Sequence, residues 1–151
     1  MKSLGLVVLC WLSLVGQDIG LLRKAFIAAP DSAEAARNFM EATAGISADS
    51  APLLQAYKGA ACLIWGKYAK GIEEKKKMAR EGISLLESAV ARDPDHIEIR
   101  VLRLSIQENS PKILKYKSKI DEDRRFVTHR FEKLPAGDLR AFVAGYLESE
   151  K

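Results

Sequence analysis

Gly82-Ile83-Ser84-Leu85-Leu86-Glu87-Ser88-Ala89-Val90-Ala91-Arg92-Asp93-Pro94-Asp95-His96-Ile97-Glu98 decides how this chain folds. Gly82, Leu85, Leu86 and Ala89 recur at three- and four-residue spacing, with Ile83 and Val90 beside them. That is the period of one apolar helical face. Pro94 pushes Asp93 out of helical geometry, so the helix stops there. Asp95 then offers a carboxylate to the first free amides of a new helix, with Glu98 three residues on as its reciprocal partner. One helix thus ends and another begins across a corner of a few residues.

The same grammar extends in both directions. Met78 extends the stripe backwards, and the polar residues 70–77 before it read as a connection. Upstream, Leu53, Leu54, Tyr57, Ala61, Ile64, Trp65 and Tyr68 share a face of a helix opened by Ser50, and Gly59-Ala60-Ala61 is small enough to admit a close neighbour. Asp18 caps a short helix that faces inward through Leu21, Leu22, Ala25 and Phe26 and ends at Pro30. Asp31 and Glu34 open another that passes through Phe39 and Met40 to Gly45. Downstream, a helix from Asp95 reaches Gln107, and residues 111–116 hold one helical turn. A further helix covers residues 120–133, and Asp138 caps a last one carrying Leu139, Phe142, Val143, Tyr146 and Leu147. Period-two alternation is missing, so the prediction is all-α, with about six to seven helices. Pro52, Pro94 and Pro135 lie 42 and 41 residues apart, each at or just before a helix start. Two helices fall in each interval, which predicts antiparallel helical hairpins in a short solenoid or bundle.

The stretch around Gly82, Leu86, Ala89 and Pro94, with the Ala91-to-Glu98 turn, resembles a tetratricopeptide repeat. The resemblance covers about one repeat. The 42-residue interval is longer than that family's unit, and residues 97–134 lack the matching small residues. The run Glu98-Ile99-Arg100-x-x-Arg103-x-Ser105-Ile106-Gln107-x-Asn109-x-Pro111 also resembles a motif of short exported bacterial proteins, with no function attached to it. What the tetratricopeptide resemblance implies is binding of a protein or peptide on a concave face, by analogy of fold alone.

A separate segment precedes all of this. Lys2 gives a positive start, residues 4–15 are a nearly unbroken apolar run, and Gly16-Gln17-Asp18 turns small and polar. This is the layout of a secretory signal peptide, with cleavage expected after Gly16 and a single domain over residues 17–151. Twelve apolar residues make a helix of about 18 Å, short of a hydrocarbon core of about 30 Å, so the mature form is expected to lack a transmembrane segment. Removing the leader takes Cys10 and leaves Cys62 alone in the apolar run Ala60-Ala61-Cys62-Leu63-Ile64, where an inert buried thiol is expected.

Composition narrows the function. Apolar residues at 48% and charged residues at 29% suit a globular domain. A net charge of +4 is too mild to predict a nucleic-acid partner. His96 and His129 lack the spacing of a metal site, and consecutive Asp121, Glu122 and Asp123 point different ways on a helix, so no metal or cofactor is expected. Nor does a nucleophile elbow or glycine-rich phosphate loop occur. Two lysine-rich runs, around Lys75-Lys76-Lys77 and from Lys112 to Arg125, read as solvated faces that an anionic surface could also meet.

The sharpest polar feature is the stripe Arg100, Arg103 and Gln107. Guanidiniums on adjacent turns can clamp a carboxylate bidentately. These three are the candidate binding residues, for an acidic side chain or C-terminus of a protein or peptide partner. The competing role is pairing with Asp121, Glu122 or Asp123 of the next helix. The expectation is a non-enzymatic adaptor of the periplasm or secreted space, with a homodimer possible. The alternative is a small-molecule carrier or enzyme with a pocket between hairpins, lined by Tyr57, Tyr116 and the arginines.

Overall fold

The computed structural model describes residues 18–149; the expected leader lies outside them. Seven α-helices account for the described chain, with no strand among them: α1 (Ile19–Ala28), α2 (Ala33–Ala42), α3 (Pro52–Trp65), α4 (Ile72–Arg92), α5 (Ile97–Asn109), α6 (Ile120–Phe131) and α7 (Asp138–Ser149). Two short 3-10 turns, Ala29–Asp31 and Lys112–Leu114, punctuate it. Sequence neighbours pack on one another, α1 on α2, α3 on α4 and α5 on α6, while α3 also packs on α5 and α7 lies against α5 and α6.

Several boundaries differ from expectation for local reasons. Asp18 does cap α1, accepting from Gly20 N at 2.8 Å. Leu21, expected inside, is 63% exposed, because the core lies under Leu22 and Phe26. Pro30 falls inside the first 3-10 turn, and Ser32, in place of Asp31, caps α2 by accepting from Ala35 N. Pro52 starts α3 from its first turn, where its missing N–H costs nothing. The largest shift is in α4, which begins at Ile72, six residues before Met78. Gly71 breaks the chain at φ 87, and Glu73 and Glu74 then sit against the positive helix end. Lys76 pairs with Glu73 at 3.2 Å one turn on. A polar helical turn of this kind has no apolar period to reveal it.

Two helices are buried on nearly every side. In α3 nine of fourteen residues are buried, and in α5 ten of thirteen. The α3–α4 contact works because both backbones are bare at the crossing. A Cβ on Gly59 would sit 2.8 Å from the Gly82 carbonyl oxygen, and one on Gly82 would sit 2.6 Å from Leu63 Cγ. Across the molecule Phe26 meets Phe39, Tyr57 and Phe142 edge-on, with ring centroids 6.1–6.4 Å apart, joining α1 to α2, α3 and α7. Edge-to-face pairs of this kind contribute about 0.5–1.5 kcal/mol each beyond burial.

Candidate functional site

Because α5 is buried on all sides, its polar residues lie inside the protein. Arg103 grips Asp123 with Nε at 2.7 Å and Nη2 at 2.8 Å, and gives Nη1 to Glu87 at 3.0 Å. Arg100 donates from Nη1 to Asp123 at 2.7 Å and to Glu122 at 3.0 Å, and from Nε to the Pro94 carbonyl. Its guanidinium also lies over the Phe126 ring, 4.8 Å from the centroid. Asp123 is fully buried. Burial alone would lower the pKa of Arg103, but the hydrogen bonds and charge of Asp123, with the charge of Glu87, carry it above its ordinary value. Gln107 accepts from the Lys119 backbone N–H at 3.1 Å, and its Nε2 is buried without a hydrogen-bond partner. Tyr116 donates to Glu87 at 2.6 Å.

Thus the structure brings Arg100, Arg103 and Gln107 together on one side of α5, and gives both arginines carboxylates from α6 and α4. Of the three consecutive acids only Asp123 points inward, and Glu122 reaches Arg100 from the edge. Hydrogen bonds from Lys119 and Arg100 hold the Glu122 carboxyl below its usual range.

A second buried carboxylate lies at the start of α5. Glu98 takes two hydrogen bonds from Arg23, both at 2.8 Å, and one from the Tyr57 hydroxyl. It ties α1, α3 and α5 together. Burial, reinforced by Glu98, pushes the Tyr57 pKa far up. Tyr57 and Tyr116 therefore belong to separate polar clusters, and neither lines a cavity.

The cavity lies elsewhere. An apolar groove of about 430 Å³ runs between α1, α3, α5 and α7, walled by Phe26, Leu63, Ile64, Ile106, Phe142 and Tyr146. Ile27, Pro30, Pro111 and Leu114 complete its rim. Its lining contains no carboxylate, histidine or thiol, and Lys67 is its one charged residue. On the α7 side Ala141 and Gly145, one turn apart, face the groove, and a Cβ on Gly145 would meet nothing within 4 Å. These small side chains hold the groove open. Its lining was missed in the sequence because Phe26, Ile64, Phe142 and Tyr146 share the period of core residues. The one legible signal was the pair of small residues on α7.

Cys62 is buried, as its apolar run suggested, and burial pushes its thiol up to about 11. Among the described residues no group of three His, Cys, Asp or Glu side chains could hold a metal, and no helix is long and apolar enough to cross a membrane. Comparison of the chain with protein-family models, curated proteins and solved structures finds no match.

Proposed function

We propose that this protein is a non-enzymatic binding module, built as consecutive helical hairpins with α7 as a closing helix, that holds an apolar segment of a partner polypeptide in the groove between α1, α3, α5 and α7. The observation that carries this reading is the groove itself: half-open, apolar, and kept wide by Ala141 and Gly145 where larger residues would fit. A helix presenting two or three apolar side chains along one stripe suits such a cleft. A partner's acidic group at Arg100 and Arg103 would have to displace Glu122 and Glu87, which already hold them; an apolar segment entering the groove displaces only water. The arginines then act as scaffold, fixing α5 as the groove's floor. The working place is the periplasm or the secreted space, which mass analysis of the protein purified from its host tests through loss of the first 16 residues.

The experiment places a photo-crosslinking residue at Ile27, which is 63% exposed on the groove's rim. A discrete polypeptide adduct that disappears in Gly145→Phe supports the reading. An adduct indifferent to that variant removes the groove from the hypothesis. One observation favours a second reading: about 430 Å³ also falls within the range of small-molecule sites. Native mass spectrometry showing a co-purified small apolar molecule, lost in Gly145→Phe, would favour a carrier.

A further inference from the structure

Between Glu108 and Asp121 the chain carries four lysines and no acid, a local charge equal to the net charge of the whole protein. This stretch leaves α5, makes the 3-10 turn Lys112–Leu114, and passes through Lys115 at φ 51, the one non-glycine residue with positive φ among those described. A left-handed residue other than glycine is held in place only by its surroundings. Here it lets Leu114 line the groove and Tyr116 turn inward to Glu87, while Ile113 beside Leu114 stands 86% exposed. The loop is pinned at both ends. Ser110 Oγ donates to the Ile106 carbonyl at 2.6 Å, and the Lys119 N–H donates to Gln107. Lys117 Nζ is drawn back to the Glu108 carbonyl, and Lys119 pairs with Glu122. Lys112 and Lys115, flanking the isoleucine, have no acidic partner among the described residues.

We infer that this loop is a docking point for an anionic lipid surface, with Ile113 entering the boundary between headgroups and acyl chains and Lys112 and Lys115 meeting lipid phosphates. An apolar tip held rigidly between two free cations matches both layers of such a surface. A nucleic acid would use the cations but has no place for the isoleucine, and Tyr116, the aromatic of the segment, is buried where no base can stack on it. The other lysine run differs in kind. Ile72 there is also exposed, but Glu73, Glu74 and Glu81 interleave with its lysines. The inference is independent of what the groove holds, although Leu114 and Pro111 make the loop one of the groove's walls.

The test measures partition of the full chain onto vesicles of phosphatidylglycerol and phosphatidylcholine at about one to two, against phosphatidylcholine alone, at ionic strength of about 0.1 M. The readout is the ratio of the two, because the apolar run at residues 4–15 adds equally to both. Lys112→Ser/Lys115→Asn, with asparagine tolerating the left-handed geometry, is expected to cut the ratio about thirty-fold. Ile113→Ser is expected to weaken binding to the anionic vesicles about ten-fold. Ile72→Ser/Lys75→Ser is expected to leave both unchanged, and all three variants should keep the wild-type circular dichroism. A wild-type ratio near one overturns the inference, as does a loop variant that partitions like wild type. So does a control variant that loses as much as the loop variants, or a DNA duplex bound as tightly as the anionic vesicles.

Discussion

The α3–α4 and α5–α6 contacts solve one problem with opposite chemistry. In the first, two glycines strip the crossing of side chains, and the backbones meet directly, with Leu86 and Leu63 packed around Gly59 and Gly82. In the second, Asp123 sits fully buried under two guanidiniums. The first interface cannot accept an added methyl group, and the second cannot lose a charge. An interface built on absence is broken by addition, and one built on complementarity is broken by subtraction.

The largest effect is expected from subtraction. Asp123→Ala leaves Arg100 and Arg103 facing each other with only Glu122 and Glu87 at the edge, and breaking a buried ion pair on one side costs about 3–5 kcal/mol. Urea unfolding followed by circular dichroism reads that loss. A triple replacement, Arg100→Met/Arg103→Met/Asp123→Leu, is expected to cost far less than the single variant, since apolar residues of similar volume restore packing without desolvating charge. A triple variant at least as unstable as Asp123→Ala would show that the charges themselves hold α6 in place.

Addition comes next. Gly82→Val places a branched side chain where even a Cβ lies 2.7 Å from the Gly59 carbonyl oxygen and 2.6 Å from Leu63. Forcing volume into a packed contact costs about 1–3 kcal/mol. Gly145→Ala, on a helix face with open space, should instead stabilise by up to about 1 kcal/mol through helix propensity alone. Opposite signs for these two glycine substitutions in one thermal-melt series would confirm that only one of them sits at a contact.

How far the two interfaces were legible in sequence follows from the same difference. Small residues at Gly59, Ala60, Ala61 and Gly82 announce a close approach, because such composition on an apolar face has few other uses. The arginine stripe was equally visible, yet its partners were not. Three consecutive acids in α6 point in three directions, and nothing local says that Asp123 is the one turned inward. The choice depends on how α6 rotates over α5, a tertiary quantity. The start of α4 at Ile72 was hidden because a polar turn held by Glu73 and Lys76 carries no apolar period. The groove was hidden most deeply, since a side chain lining a cleft and one filling a core obey the same spacing.

The smallest predicted effect probes the rim of the charged interface by pH. Glu122 has its carboxyl held low by Lys119 and Arg100, so it favours the folded state when ionised. A depressed folded pKa gives stability that is present above the unfolded value of about 4.3 and is lost as pH falls through the folded one. Stability should therefore decline on acidification below about pH 4.3, and Glu122→Gln should remove only a small part of that decline, because Glu122 is half-exposed and solvent screens its pairs. Denaturant midpoints compared at neutral pH and at about pH 3.5 check this. If Glu122→Gln abolished most of the acid loss, the weight of the interface would lie at its exposed edge, and Asp123 could not be the residue on which α5 and α6 depend.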